Sequence, residues 1–151
     1  RNLIKGLPKN TRHIIDSCHD IGATDSMVYQ QAMEVFYLKH VLRNKKKLEE
    51  MFSGKNPNGK LIYEYMWGPS EFEPTGTLKN YTRIADLGKI KVPTIIICGE
   101  YDEATPGTGV KYANKIPGCS FSEVKGASHA IWVEKPARIR KVINGFLDSI
   151  E

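Results

Sequence analysis

Two short segments of this chain carry residue types suited to proton transfer. Gly99-Glu100-Tyr101-Asp102-Glu103-Ala104-Thr105-Pro106 follows a β-branched run, and Lys125-Gly126-Ala127-Ser128-His129-Ala130 follows a second short run. Each reads as the loop leaving the carboxyl end of a strand, the edge of an open α/β sheet where ligands and reacting groups gather. Asp102 and His129 then project from neighbouring loops, with one crossover between them. A carboxylate that holds an imidazole fixes its tautomer and stabilises the imidazolium formed when the ring takes a proton, which is the base half of a nucleophilic triad. Singly, either residue reads as an ordinary loop Asp or a surface His; after two adjacent strands they read as a functional pair.

The elements that must hold this pair are legible around it. Val92-Pro93-Thr94-Ile95-Ile96-Ile97-Cys98 ends at Gly99 and fits a strand buried on both faces of a parallel sheet. Thr108 to Ile116 has helical spacing, Pro117-Gly118 breaks it, and Ser120 to Val124 is a second strand. Pro136 suits the first turn of a last helix, with Ile139, Val142, Ile143, Phe146, Leu147 and Ile150 forming one apolar stripe. A right-handed crossover makes the two strands parallel. Two such strands look like the edge of a larger sheet.

Residues 1–88 read instead as helical. Asn10-Thr11 caps a helix that Gly22 stops. Asp25 or Ser26 caps a second, with Val28, Ala32, Val35 and Phe36 on one face and Met33, Tyr37 and Val41 widening it. Lys47 to Phe52 and Leu61 to Trp67 are shorter helices. Gly54 to Gly59 and Pro74-Thr75-Gly76 are loops by composition. The expected fold class is therefore α/β: a helical part over 1–88, then two parallel strands and their helices over 89–151.

Composition bounds the rest. The chain has 151 residues, a net charge of +5, 40% hydrophobic and 26% charged residues, ordinary for a globular domain. No apolar run approaches the ~20 residues of a membrane helix, no secretory signal precedes the first helix, and the chain starts at Arg1 rather than Met, as a fragment or a processed chain would. Cys18, Cys98 and Cys119 cannot all pair, so reduced thiols and a cytoplasmic location are expected. Arg43-Asn44-Lys45-Lys46-Lys47 follows an apolar-periodic segment and reads as a solvated helix end. No aromatic platform accompanies it, so no nucleic-acid partner is expected. Gly54-Lys55-Asn56-Pro57-Asn58-Gly59-Lys60-Leu61 nearly spells a phosphate-binding loop, but Leu61 stands where a hydroxyl must meet magnesium and no strand precedes it. His13, His19 and His40 lack metal-ligand spacing and are taken as surface or helical-part residues; no metal and no cofactor is expected.

A nucleophile is missing. No Gly-x-Ser-x-Gly occurs, and Gly68-Pro69-Ser70-Glu71-Phe72 lacks the last Gly and follows a helix rather than a strand. The chain order in this class is Ser, Asp, His, so the Ser belongs N-terminal of everything present. Cys98, one residue before the turn, is expected to be buried and is discounted.

The chain resembles the C-terminal half of a proline iminopeptidase (prolyl aminopeptidase) of the α/β-hydrolase superfamily. The resemblance is carried by Met66-Trp67-Gly68-Pro69-Ser70-Glu71-Phe72, Gly76-Thr77-Leu78-Lys79-Asn80-Tyr81, Val92-Pro93-Thr94, Gly99 through Pro106, and Gly126-Ala127-Ser128-His129. Leu7-Pro8 and Ala23-Thr24-Asp25-Ser26, with Tyr37 and His40, resemble the start of that family's helical cap. The resemblance implies a helical cap over 1–88 and the last part of the hydrolase core over 89–151. It implies that Asp102 and His129 are the triad acid and base. It implies that Glu71 and Glu103 hold the substrate's N-terminal ammonium, with Tyr63 as their aromatic neighbour. Paired carboxylates suit a cationic terminus through charge-assisted hydrogen bonds. The family's Gly-x-Ser-x-Gly-Gly and His-Gly-Gly-Pro segments are absent, so a complementing N-terminal half or another chain is implied as partner, beside peptide substrates with a free N-terminus. Two other readings remain open: a non-catalytic fragment or binding module, and a related hydrolase acting on esters or epoxides.

Overall fold

A computed structural model describes residues 2–53, 57–70, 72 and 74–150, with the side chains of Pro57 and Asn58 left aside. The chain is α/β and divides into two compact units. One runs to Leu38 and resumes over Lys45–Tyr81; the other joins Lys39–Asn44 to the residues from Thr82 onward.

The first unit is helical. A 3-10 turn (Asn2–Gly6) precedes α1 (Lys9–Asp20), α2 (Met27–His40), α3 (Lys45–Ser53) and α4 (Pro57–Met66). Pro8, not Asn10, stands before the first turn of α1, with no side-chain cap. A proline at that place has the extended backbone the cap position needs, and Arg12 N–H bonds its carbonyl at 3.0 Å. Gly22 ends α1 at φ 68°. Its N–H bonds the His19 carbonyl at 3.2 Å and the Ala23 N–H bonds that of Cys18 at 2.8 Å, which is a Schellman closure. Ser26 caps α2 by accepting the Tyr29 N–H at 3.3 Å.

The buried face of α2 is turned from the expected one. Tyr29, Ala32, Met33, Phe36 and His40 are buried, whereas Val28 and Val35 are exposed. The stripe Tyr29, Ala32, Met33, Phe36, His40 keeps helical spacing, and a polar-tipped Tyr and a His occupy positions that hydrophobicity alone passes over. α3 starts two residues before the expected Lys47. The basic cluster thus lies at a helix start, where Lys45 is offset by Glu34 at 2.7 Å. Of the expected loop over Gly54 to Gly59, residues 54–56 lie outside the described residues, and Pro57 to Gly59 form the first turn of α4. Proline fits there because its fixed φ is helical and its missing N–H would have no intrahelical partner.

The second unit contains β1 (Ile95–Gly99), α5 (Pro106–Ala113), β2 (Ser120–Val124), α6 (Ile131–Glu134) and α7 (Pro136–Asp148), after a 3-10 turn at Ile84–Lys89. The strands pair in parallel, Ile95 opposite Ser120 through Gly99 opposite Val124. α5 is the crossover, capped by the Thr105 hydroxyl, with Pro106 in its first turn. It lies so close on the sheet at Gly109 that a Cβ there would meet Cys98 Sγ and the Phe121 ring at 2.7 Å. Val124, Ala127 and Ile131 form the buried cluster, with Ile97 and Ile139 against it. Burial of β1 is less complete than its all-apolar run implied. Ile95, Ile96 and Ile97 are half-buried, and only Cys98 and Gly99 are fully covered. Likewise Ile143, Leu147 and Ile150 of the last stripe are exposed.

Candidate active site

The acid loop begins where β1 ends. The Asp102 N–H returns to the Gly99 carbonyl at 3.2 Å, folding the chain into a tight turn. The turn places the carboxylate beneath its own backbone: Oδ1 accepts the Ala104 N–H at 2.8 Å and Oδ2 accepts the Gly99 N–H at 3.3 Å. Asp102 is only 4% exposed, and a carboxylate so deep needs those donors. Its Oδ1 lies 2.9 Å from His129 Nδ1. A carboxylate accepts, so Nδ1 carries the proton, and Nε2 of the neutral ring is left with a lone pair.

The base loop is pinned to the acid loop by main chain. The Glu100 N–H bonds the Val124 carbonyl at 3.1 Å, continuing the ladder, and the Tyr101 N–H bonds the Ala127 carbonyl at 2.9 Å. The Gly126 N–H bonds Glu100 Oε2 at 2.9 Å. Gly99 is what lets the loops come so near: a Cβ on it would collide with the carbonyl oxygens of Ala127 and Ser128. Ser128 has no exposed surface. Its N–H and its hydroxyl both donate to Glu134 Oε2, at 2.6 and 3.0 Å.

The contact with Asp102 raises the proton affinity of His129. Its pKa lies above the ordinary value, chiefly through the hydrogen bond to Asp102; burial opposes this, and the charges of Asp102 and Glu103 add to it. The His129 side chain keeps 46% of its surface exposed while that of Asp102 keeps 5%. The pair is thus an anchored acid beneath an accessible base, the arrangement a general base requires. Cys98 is buried at 5% exposure, and burial pushes its thiol pKa up, away from the thiolate a nucleophile needs.

No family model matches the chain. A proline iminopeptidase of Heyndrickxia coagulans is 39% identical over 153 residues, which cover 99% of this chain and 52% of the relative. The crystal structure of VinJ superposes with a TM-score of 0.86 at 29% identity, over 99% of this chain and 51% of that one. The crystal structure of a proline iminopeptidase from Mycobacterium smegmatis gives 0.78 at 30% identity, over 98% and 50%. The chain matches the C-terminal half of the proline iminopeptidases. It spans about half the length of the curated relatives it matches. Its helices and two parallel strands are those of the C-terminal part of an α/β-hydrolase.

Set against that half of a proline iminopeptidase, the site residues fall in different places. Asp102, His129 and Glu103 lie together in the second unit. Tyr63 lies on α4 of the helical unit, where it lines a cavity of about 890 Å³ with Tyr29, Met33, Tyr37 and Phe52. Glu71 lies outside the described residues. Among the described residues no cluster of three His, Cys, Asp or Glu side chains forms a metal site, and no helix is long and apolar enough to cross a membrane.

Two residues of this site were passed over in the sequence. Glu134 ties Ser128 to the Lys39–Asn44 segment, its Oε1 accepting the Arg43 N–H at 2.6 Å. His40, read as a surface or helical-part residue, ends α2 and is buried. No motif marks Glu134. His40 had a signal, since it continues the buried stripe of α2.

Proposed function

We propose that this chain supplies the acid–base pair and part of the amine-recognition site of a serine-type aminopeptidase that releases N-terminal proline, or another small residue, from peptides. The nucleophilic Ser and the oxyanion-binding donors come from outside these residues, and the chain by itself is inactive. The helical unit is the cap of that enzyme, and the unit bearing β1 and β2 is the end of its catalytic core. Cys18, Cys98 and Cys119, joined by no disulfide, fit a cytoplasmic enzyme.

The observation that carries this reading is the 2.9 Å contact between Asp102 Oδ1 and His129 Nδ1, with the acid buried and the base accessible. His129 Nε2 takes the proton of the Ser hydroxyl as its oxygen bonds the first peptide carbonyl carbon. Asp102 keeps Nδ1 protonated and stabilises the imidazolium. The C–N bond breaks, and His129 returns the proton to the departing amine. Water then repeats the attack on the acyl-enzyme with His129 again as base. Glu103, beside His129, and Glu71 hold the substrate ammonium. A peptide with a blocked terminus leaves these acids without a partner and is disfavoured. The same argument weighs against ester or epoxide substrates, which give the acids no cation.

The test is the intact mass and peptide map of the native material, with a prolyl-aminomethylcoumarin assay on the same sample. The proposal predicts activity together with a second polypeptide segment that carries Gly-x-Ser-x-Gly. Turnover by the 151-residue chain alone, or an active sample lacking such a segment, contradicts it.

A further inference from the structure

The end of α2 and the turn after it, Lys39–Asn44, belong to the same compact unit as the acid and base loops. His40 sits there at 6% exposure. Its ring Nδ1 lies 2.8 Å from the carbonyl oxygen of Tyr101, the residue before Asp102. A carbonyl only accepts, so Nδ1 carries the proton and donates. The main-chain oxygen of His40 accepts the N–H of His129 at 3.0 Å, and that of Val41 accepts the N–H of Ala130 at 2.8 Å. One residue therefore grips the main chain next to the acid with its side chain and the main chain of the base with its backbone. Burial lowers the pKa of His40; the bond to Tyr101 and the charge of Asp102 oppose this, and Lys39 adds to it. At neutral pH its ring is an uncharged donor.

We propose that His40 is a positioning residue for the Asp102–His129 pair, its ring N–H and its main-chain oxygen together fixing the separation of the two loops. The inference rests on the reading of Asp102 and His129 as the acid and base of the aminopeptidase. Tyr101 is otherwise tied on its N–H side, to Ala127, and the far end of the peptide leading into Asp102 is held by the 3.2 Å bond from the Asp102 N–H to the Gly99 carbonyl. Without the ring donor, that long bond and the carboxylate's own turn contacts are left to hold the loop, and the carboxylate shifts relative to His129. A displacement of ~1 Å in such a pair costs on the order of 100-fold in rate.

The test uses the active enzyme containing this chain and its nucleophile-bearing partner segment. The His40→Asn side-chain amide nitrogen takes the place of Nδ1, whereas that of His40→Gln reaches the place of Nε2. His40→Leu has no donor. We expect His40→Leu and His40→Gln to lower kcat by about 10- to 100-fold on prolyl-aminomethylcoumarin with little change in KM. We expect the acid limb of their kcat/KM profile to move toward the ordinary His value, as the Asp102 bond weakens. His40→Asn should restore both. If His40→Leu does not fold, the Asn and Gln pair decides. Equal behaviour of Asn and Gln, or a fall in melting temperature with kcat and the acid limb unmoved, overturns the inference and leaves a purely structural His40. Asp102→Asn is measured beside them. If it leaves turnover intact, the acid–base reading itself falls; if it abolishes turnover while the His40 series is silent, only the present inference falls.

Discussion

Asp102 Oδ1 lies 2.8 Å from the Ala104 N–H and 2.9 Å from His129 Nδ1, so one oxygen is shared between its own turn and the base. The turn holds the carboxylate where the imidazole needs it, and the imidazole tautomer follows. Asp102→Asn can keep the turn while offering the wrong group to Nδ1. In the active enzyme we predict a fall in kcat of ~10⁴-fold with the fold retained. Steady-state kinetics on prolyl-aminomethylcoumarin check it, and a loss below tenfold sinks the assignment.

The pH dependence has a defined sign. The pKa of His129 is raised by Asp102, so its contribution to stability is full below the unfolded His value of 6.5 and fades as pH rises through the raised folded value. His40 works oppositely. Its folded pKa is lowered by burial, so stability is present above 6.5 and is lost as pH falls from there through the folded value. Urea midpoints of wild type and His40→Asn, taken downward from neutral pH, should shift in the variant's favour, because the acid destabilisation unique to His40 is missing from it. A constant difference between them would contradict this.

Glu103 raises the proton affinity of His129 by its charge. Glu103→Gln should therefore move the acid limb of the rate profile downward, and it should also weaken turnover of substrates with an unblocked amine. An unchanged rate on a prolyl amide would remove Glu103 from amine recognition, while an unchanged limb would remove its electrostatic role.

Glu134 accepts three donors: the Ser128 N–H, the Ser128 hydroxyl and the Arg43 N–H. Ser128 has no exposed surface, so Glu134→Ala leaves a buried N–H without its acceptor. That costs about 1–3 kcal/mol. Glu134→Gln retains one oxygen and should cost less. Chemical denaturation of both variants beside wild type checks the order, and wild-type stability in Glu134→Ala would show that the Ser128 contacts contribute nothing.

At Gly99 the obstacle to a side chain is main chain, the carbonyl oxygens of Ala127 and Ser128, which cannot rotate away. Gly99→Ala should force the acid and base loops apart, destabilising the protein by about 1–3 kcal/mol and lowering kcat more than a change confined to packing. A variant of wild-type stability and rate would show that the loops have slack.

Much of the second unit was readable because its signals are local. A β-branched run bounded by Gly99, a Pro106 and a Pro136 each opening a helix, and a Pro117-Gly118 break specify β1, α5, β2 and α7 without tertiary information. That Asp102 and His129 lie on neighbouring loops was readable from strand order and residue type. The helical part was less legible. The face of α2 is set by tertiary packing that buries Tyr29 and His40 while leaving Val28 and Val35 exposed, and hydrophobicity ranks those four the other way. Pro57 looked like loop composition because proline both breaks helices and opens them. Glu134 and His40 were missed as site residues for a different reason. Each acts mostly through main-chain groups, Ser128 N–H and Arg43 N–H (beside the Ser128 hydroxyl) for one, Tyr101 C=O and His129 N–H for the other. Such partners leave no residue-type pattern that marks a role, and the helical spacing of His40 signals its burial alone.

The most direct test of the central claim is the kcat of the active enzyme on prolyl-aminomethylcoumarin with His129→Gln against wild type. If this chain provides the base, the variant falls to within a few-fold of the rate left when a triad member is removed, ~10³–10⁴ above the uncatalysed reaction, while its melting temperature changes little because the ring is half exposed. A His129→Gln enzyme that keeps wild-type turnover would place the base elsewhere and contradict the account.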